Sequence, residues 1–261
     1  MQKRASLKIT RAVIFALVLR EFRGRLNAKR LGSFWILFEP VAHVLGMIAI
    51  ITVIRGRAIP GFDVPVFLLT GIVPFLLMKN ICLKSMEAVA SNKALFAYRQ
   101  IKPFDTLVAR AIVEFVLAAC VYTVLMFGVG FFVQMDISMT DPLRWLGVLA
   151  VGVLFSFSLG VILCVVGEAV PELKVFFRMM FLPLYFLSGV VYPLWIMPSH
   201  ILEYVAWNPF LHIIDGLRKG IFENYPITQG VGMTFPIAIT FVTMFVAMGL
   251  YRARRFRLVA V

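Results

Sequence analysis

The stretch FWILFEPVAHVL, residues 34–45, opens an apolar run of about twenty residues, the length that a helix needs to cross a bilayer. Three of its residues are unusual for a lipid-facing helix: the carboxylate of Glu39, the helix-bending Pro40 and the imidazole of His43. An unpaired charge inside a bilayer is costly, so Glu39 is expected to have a partner. The stretch therefore predicts a membrane helix that carries polar groups near its first turns.

The composition extends this prediction to the whole chain. Of 261 residues, 61% are hydrophobic and only 15% are charged. A water-soluble domain could not cover so much apolar surface, so the composition predicts an integral membrane protein. The net charge is +13, but the basic residues flank the apolar segments and form no separate patch. They are predicted to set topology and to contact lipid headgroups, which excludes nucleic-acid binding.

The apolar segments predict an all-α integral membrane protein with six transmembrane helices. Residues 6–24 precede them and are predicted to form an amphipathic helix in the membrane interface, because its apolar stretch is too short to span. No small-residue cleavage site follows this stretch, so it is not expected to be a removable signal peptide. Asp105 is placed to cap the third span. The predicted spans cover about 34–54, 64–86, 106–133, 145–166, 175–195 and 231–251.

The distribution of basic residues predicts the orientation of these spans. Of the 26 Lys and Arg residues, 21 lie in flanks on the same side of the membrane as the N-terminal segment. The positive-inside rule assigns that side to the cytoplasm, so both termini are expected there. Residues 1–261 are expected to form a single transmembrane domain, with no soluble domain and no internal repeat.

Residues 91–107 form a connection on the predicted cytoplasmic side. Ser91 or Asn92 can cap a short helix, and Pro103 ends it because the residue before a proline disfavours helix. The sequence therefore predicts a helix over 91–101 that serves as a docking surface, the alternative being a loop packed on headgroups. Its predicted apolar face consists of Leu95, Phe96 and Tyr98.

Two segments on the predicted outer side are irregular or amphipathic. Residues 181–198 contain Ser188-Gly189 and several prolines, which predicts a broken or re-entrant helix, with a kinked helix as the alternative. Residues 207–225 begin with Asn208-Pro209, a helix-start signal, and have apolar residues at helical spacing. This helix is expected to lie flat in the outer interface, with its charged residues on the face away from the membrane.

The sequence does not support an enzyme that works alone. It has no Gly-Lys dipeptide, so a Walker A phosphate loop is excluded. The three histidines are scattered, and the three cysteines are widely spaced in apolar runs. No metal or cofactor is expected to bind this chain. A membrane-embedded enzyme of glycan or lipid synthesis remains the rival from another class, although it would need clustered Asp or His at one depth.

Six segments together resemble the membrane subunits of type-2 ABC exporters for bacterial capsular polysaccharide, the KpsM-like permeases. They occur in the family's order over nearly the whole chain. The segments are LREFRGR, RLGSFWILFEPVAH, PVFLLTGIVPF, NKALFAYRQIKPFDTLVARAIVE, LPLYFLSGVVYPLWIMP and WNPFLHIIDGLRKGIF.

The resemblance implies partners and a cargo. It implies a permease in the bacterial inner membrane, made of two copies of this chain above two separate ATPase subunits that bind ATP and Mg²⁺. The cargo would be an anionic capsular polysaccharide on a lipid anchor, passed on to a periplasmic adaptor and an outer-membrane channel. Related exporters of O-antigen and teichoic acid share the architecture, so they remain alternatives for the cargo.

The sequence predicts three groups of functional residues, and the resemblance implies the first two. A cytoplasmic coupling helix over 91–101 would contact the ATPase, and an outer gate region over 181–222 would close the path. The coupling group consists of Asn92, Leu95, Phe96, Tyr98 and Arg99. The outer-gate group consists of Tyr185, Gly189, Tyr192, Trp195, Trp207 and Phe210.

The third group surrounds the opening stretch. Ser33 can cap the first span, which places Glu39 roughly 9 Å from its cytoplasmic end, with His43 one turn further on the same face. The group either forms the cytoplasmic mouth of the transport path, where cations meet an anionic lipid head, or makes ion pairs that lock the interface helix to the first span. Its members are Arg20, Arg23, Arg25, Arg30, Glu39, His43, Lys79, Lys84, Arg110 and Glu114.

Overall fold

The structure, a computed structural model, describes residues 6–27, 32–55, 62–98 and 100–259. A few side chains within these ranges, including those of Ser33 and Glu39, lie outside the description. All regular segments within the ranges are helical. The α-helices are α1 (Ser6–Asn27), α2 (Gly32–Arg55), α3 (Val64–Met86), α4 (Pro103–Phe132), α5 (Pro142–Ala169), α6 (Leu173–Leu187), α7 (Ser199–Val205), α8 (Pro209–Ile221) and α9 (Thr234–Val259). Short 3-10 helices cover Ala90–Ala97 and Leu194–Ile196.

Four of the described helices are long and apolar enough to cross a membrane: α3, α4, α5 and α9. They match the second, third, fourth and sixth predicted spans, with ends shifted by at most three residues except at the end of α9, which continues eight residues beyond the predicted 251. Helix α2, the predicted first span, has 24 residues and contains Pro40. Helix α6, at the predicted fifth span, has only 15 residues, or about 22 Å, which is less than the roughly 30 Å of a bilayer core.

Helix α3 lies at the centre of the bundle. Its side chains are buried on almost every face, because it packs against α2, α4, α5 and α8. We call the end where α3 finishes and α4 begins the lower end, and the end where α4 finishes and α5 begins the upper end. By the predicted orientation, the lower end faces the cytoplasm.

Local signals place the starts of these helices. Helix α4 begins with Pro103, and the Asp105 carboxylate accepts a hydrogen bond of 2.9 Å from the backbone N–H of Lys102. The prediction that Asp105 satisfies a backbone donor at the start of this helix is confirmed, but the N-cap is Lys102 and Asp105 is the third residue of the helix. Asn208 caps α8 by accepting from the backbone N–H of Phe210 at 3.1 Å, with Pro209 in the first helical position. Ser33, the predicted cap of the first span, instead lies inside α2, which begins at Gly32.

Helix α8 does not present a charged face to the outside, so that part of the prediction is wrong. All residues from Phe210 to Arg218 are buried. The helix runs antiparallel to α5: Gly220 approaches Trp145, Gly216 approaches Val148, and Phe210 contacts Phe155 further down. This register extends over ten residues of α5, or about 15 Å. The apolar periodicity was a correct helix signal, but the helix stands within the upper half of the bundle and does not lie across its end.

The helix after α3 is shorter than predicted. It is a 3-10 helix over Ala90–Ala97, and Tyr98 already has extended backbone, so the expected continuation to 101 is wrong. The residue that precedes it is Val89, so neither Ser91 nor Asn92 is its N-cap. Both residues lie inside the helix because the chain leaves α3 in a continuous series of turns.

Candidate functional site

Two ion pairs between partly buried side chains of α1 and buried side chains of α4 join these helices at the lower end. Arg25 on α1 pairs with Glu114 on α4, and Glu21 on α1 lies 3.5 Å from Nε of Arg110 on α4. Glu21 and Arg25 also face each other along α1 at 3.5 Å. Glu114 is only 4% exposed. The guanidinium of Arg25, on the neighbouring helix, offsets part of the cost of burying this carboxylate.

Arg110 also connects α4 to the 90–97 helix. Arg110 donates to the backbone carbonyl of Lys84 at 2.7 Å and to Oγ of Ser91 at 2.6 Å. A second link comes from α1, where Arg20 donates to Oδ1 of Asn92 at 2.7 Å. The amide of Asn92 in turn donates to the carbonyl of Ala88 at 2.8 Å. These bonds tie α1, the end of α3, the 90–97 helix and α4 into one polar cluster.

The structure brings together four of the residues predicted for the cytoplasmic mouth: Arg20, Arg25, Arg110 and Glu114. Their ion pairs attach α1 to α4, whereas the predicted structural alternative attached it to the first span. Arg30 and the side chain of Glu39 lie outside the described residues. The other members are dispersed: Arg23 and Lys84 are exposed, Lys79 is half-buried, and His43 lies 6.2 Å from the ring of Tyr185.

A groove of about 490 Å³ separates α1 from the segment after the 90–97 helix. Val13, Ala16, Leu17 and Leu95 make its floor apolar, and Arg20, Tyr98, Gln100 and Ile101 complete its lining. The groove lies directly beside the Arg20–Asn92 bond. It is therefore a concave surface of the predicted coupling region with an apolar floor and a cation at one side.

The predicted apolar docking face is divided by the structure. Phe96 is 7% exposed and belongs to a cluster with Leu107 of α4 and Val161 of α5, so it holds the 90–97 helix onto the bundle. Tyr98, by contrast, is 65% exposed. Arg99 lies outside the described residues. The expectation that Phe96 and Tyr98 share one exposed face is therefore wrong.

At the upper end, α6 stops and the chain turns back. Gly189 has a positive φ of 65°, a conformation that side chains disfavour. Ser188 donates to the carbonyl of Leu184 at 2.5 Å and accepts from the amide of Asn208 at 2.9 Å. Tyr192 donates to the carbonyl of Phe186 at 2.6 Å. The predicted break at Ser188-Gly189 is confirmed, since side chains satisfy carbonyls near the point where the helix ends.

The predicted gate residues surround this turn but do not form one cluster. The ring of Tyr185 contacts Phe75 at 5.4 Å, and Phe210 contacts Phe155 at 5.2 Å. Trp195 packs higher, with its ring 5.0 Å from that of Tyr225. The remaining gate residue, Trp207, is 63% exposed and points away from the core.

Sequence reasoning missed the most buried charged residue near this turn, Arg218 of α8. It is fully buried and donates to the carbonyls of Gly189 and Val190 at 2.7 and 2.6 Å. A signal was present in the sequence: Gly216 and Gly220 lie on the same side of α8, and small residues at this spacing indicate close helix packing. An added side chain at either position would meet α5, its preceding loop or Met233.

The described residues hold no group of three or more His, Cys, Asp or Glu side chains that could bind a metal ion. The polar groups at both ends instead pair with one another and with backbone carbonyls.

Four described helices of membrane-spanning length, with ion pairs at one end of the bundle and a broken helix at the other, are the architecture of a polytopic membrane protein. The chain belongs to the ABC-2 type transporter family, whose sequence model matches residues 12–222. It is accordingly a membrane-embedded transport subunit and not an enzyme.

Relatives named for polysaccharide transport or export align with most of the chain. The polysialic acid transport protein KpsM of Escherichia coli is 34% identical over 254 residues, covering 96% of each chain. The capsule polysaccharide export inner-membrane protein CtrC of Neisseria meningitidis is 27% identical over 84% of this chain and 82% of its own. The capsule polysaccharide export inner-membrane protein BexB of Haemophilus influenzae is 24% identical over 85% of this chain and 84% of its own.

Proposed function

We propose that this chain is the permease subunit of an ATP-driven exporter that moves lipid-anchored, anionic capsular polysaccharide across the bacterial inner membrane. The observation that carries the proposal is the 34% identity with a polysialic acid transport protein over 96% of both chains. The two other relatives are named for capsule polysaccharide export and for the inner membrane. O-antigen and teichoic acid remain the alternative cargoes.

The proposed topology has six crossings within one domain of residues 1–261, with both termini in the cytoplasm. Helix α2 supplies the first crossing, and α6 with the following turn supplies the fifth. The excess of basic residues on one side supports this orientation. Helix α1 then lies in the cytoplasmic interface, where its exposed apolar side chains Leu7 and Phe15 face lipid.

The proposed transporter contains two copies of this chain and two separate ATPase subunits that bind ATP and Mg²⁺. The chain has no Gly-Lys dipeptide, so the nucleotide must bind elsewhere. The ATPase docks on the exposed side of the 90–97 helix, formed by Lys93, Ala94, Ala97 and Tyr98. In a Gram-negative envelope a periplasmic adaptor and an outer-membrane channel then receive the polysaccharide.

Cargo is proposed to approach at the lower end, where cations attract the anionic lipid head. Arg23 is exposed beside the cluster, and Arg20 lines the groove. Each basic residue near an anionic headgroup layer contributes about 1 kcal/mol to attraction, so several together concentrate the cargo. The proposal gives a structural role to Arg25, Arg110 and Glu114, because their ion pairs hold α1 on the bundle.

The outer gate is proposed to be the segment 181–222. The break at Gly189 and the inserted helix α8 support this, because irregular backbone between packed helices is able to rearrange without unfolding the spans. The aromatic residues Tyr185, Trp195 and Phe210 fill the space around the turn. Closure by these residues would keep the membrane sealed between transport cycles.

The proposal is tested by co-expressing the chain with its ATPase in cells that synthesise a lipid-linked polysaccharide but lack their own permease. An anionic capsular polysaccharide should reach the cell surface, whereas a neutral O-antigen of similar length should remain inside. Cells that lack the ATPase are the control and should export neither. Equal export of both glycans, or export of the neutral one alone, would contradict the proposed cargo.

A further inference from the structure

A single guanidinium group connects three elements at the upper end. Arg218 extends from α8 and donates to the carbonyls of Gly189 and Val190 in the turn after α6, at 2.7 and 2.6 Å. It also reaches the carbonyl of Phe67 on α3 at 3.3 Å and stacks over the ring of Phe67, 3.6 Å from its centroid. A side chain of α8 thereby holds the turn after α6 against α3.

A close approach on α3 makes room for this group. A Cβ atom added at Gly71 would overlap Nη2 of Arg218 and would lie 2.8 Å from the carbonyl oxygen of Val190. Any side chain at position 71 would thus displace both the guanidinium and the turn. Gly71 lies inside α3, and this contact requires that the residue at position 71 has no side chain.

A second group close to the guanidinium is the carboxylate of Asp215, of which only one oxygen makes an ion pair. Asp215 lies one turn earlier on α8 and uses Oδ2 to pair with Lys219 at 2.6 Å. Its buried Oδ1 and Nε of Arg218 make no geometrically ideal hydrogen bond among the described residues, and the hydroxyl of Tyr225 lies close to both side chains. Residues three apart on a helix are neighbours, so Arg218 can pair with Oδ1 of Asp215 after a change of rotamer.

We propose that Arg218 is the latch of the outer gate: it holds the turn closed on α3 and transfers to Asp215 when the turn opens. This inference rests on the proposed export function, because it assigns the closing contact of the proposed gate. In the closed arrangement the guanidinium satisfies carbonyls that the broken helix leaves free. In the open arrangement Asp215 satisfies it beside Tyr225, which is close to the guanidinium already in the closed arrangement, so the cation remains paired in both.

The chemistry of arginine suits this role better than that of lysine. The planar guanidinium binds two neighbouring carbonyls at once and stacks on an aromatic ring, whereas an ammonium is a compact point charge. Arg218→Lys therefore keeps the buried charge but loses the paired contact with the turn. Gly71→Ala reaches the same contact from the opposite side and leaves Arg218 itself unchanged.

The latch is tested first without cargo or nucleotide. Val191→Cys places a thiol in the turn, and the exposed Cys120 is replaced by Ser. In resting spheroplasts a membrane-impermeant maleimide should label position 191 about tenfold faster in Arg218→Lys and Gly71→Ala, because one net hydrogen bond is lost. Arg144→Lys, at an exposed arginine of the upper end, is the matched control and should label at the wild-type rate.

Combining the two substitutions separates the latch from general loosening. A Cβ at position 71 overlaps Nη2, which lysine lacks, but its close approach to the carbonyl oxygen of Val190 remains in either background. Gly71→Ala should therefore still accelerate labelling in the Arg218→Lys background, but by a smaller factor than in the wild type. Independent, multiplicative effects would overturn the proposal. So would labelling of Arg218→Lys within twofold of the wild type, provided that both proteins are present in the membrane at equal amounts.

The transfer to Asp215 is tested with the complete complex during ATP turnover. Turnover should accelerate labelling of position 191 in the wild type, and Asp215→Asn should abolish most of that acceleration when turnover labelling is compared with the resting rate of the same variant. An unchanged acceleration in Asp215→Asn would contradict the transfer. If the labelling follows these expectations but no anionic polysaccharide is exported, the proposed cargo is wrong and the latch stands.

Discussion

At the scale of single residues, Glu114 shows how the protein keeps charges inside its bundle. It lies on a helix of 30 residues that is long and apolar enough to span a membrane, and Arg25 pairs with it from α1. Removal of one partner of such a pair leaves the other charge without compensation. The pair therefore helps to hold α1 on α4, together with the Glu21–Arg110 contact and the Arg20–Asn92 hydrogen bond.

Neutralising this carboxylate should loosen α1. We expect Glu114→Gln to reduce stability by about 2 kcal/mol, because Arg25 then loses its buried counter-charge. Thermal unfolding of the purified protein in detergent measures the change. Glu203→Gln removes an exposed carboxylate from α7 and should leave the unfolding temperature unchanged. An equal effect of the two substitutions would show that the Arg25–Glu114 pair adds nothing specific.

The two aromatic residues of the predicted docking face should behave differently. Phe96→Ala removes a buried ring and should cost about 3 kcal/mol of stability. Tyr98→Ala changes an exposed side chain, so stability should change by less than about 0.5 kcal/mol while binding of the ATPase decreases. Thermal unfolding and co-purification with the ATPase measure the two effects separately. Normal co-purification of Tyr98→Ala would remove Tyr98 from the docking surface.

At the scale of elements, α8 is the segment for which sequence and structure differ most. Its apolar positions predict a helix correctly, and its charged positions suggest a solvent-facing side. Asp215 and Lys219 instead satisfy each other inside the bundle, and Arg218 satisfies backbone carbonyls. Periodicity in one sequence identifies polar positions, but it does not distinguish water from a buried partner.

The position of α8 along α5 is open to a direct test. A Cβ added at Gly152 would lie 3.0 Å from Cγ2 of Ile213, so cysteines at 152 and 213 should form a disulfide on oxidation. Position 147 has no atom within 4 Å of an added Cβ, so the pair 147 and 213 is the control and should not crosslink. Gel mobility reports the bond. A helix lying across the end of the bundle would leave both pairs open.

At the scale of the whole molecule, much of the architecture is predictable because lipid imposes long apolar helices. The spans at 64–86 and 106–133 differ from α3 and α4 by at most three residues at either end. The break at Ser188-Gly189 follows from residues that weaken a helix locally. The ion pairs of α1 with α4 and the hydrogen bonds of Arg218 join segments far apart in sequence, and a single sequence contains no signal that pairs them.

The proposed orientation of the whole molecule is testable by fusions at both ends. A fluorescent protein that folds only in the cytoplasm should fluoresce at either terminus, and alkaline phosphatase at either terminus should stay inactive. Phosphatase fused after Met135, in the loop between α4 and α5, should be active because that loop lies at the upper end. Activity at one terminus but not at the other would require an odd number of crossings.

The burial of α8 constrains the order in which the protein is made. Helices α3 and α5 leave the ribosome before α8, whereas α9, which also contacts α8, is synthesised last. Until α8 arrives, the carbonyl of Phe67 and the small residues Gly71 and Gly152 line an unfilled furrow in the nascent bundle. Helix α8 is too short and too charged to enter lipid by itself, so it must fold into this furrow after α3 and α5 have inserted. A nascent chain that stops before residue 209 should therefore remain bound to the membrane-insertion machinery, which would shield the furrow until the missing helix is supplied.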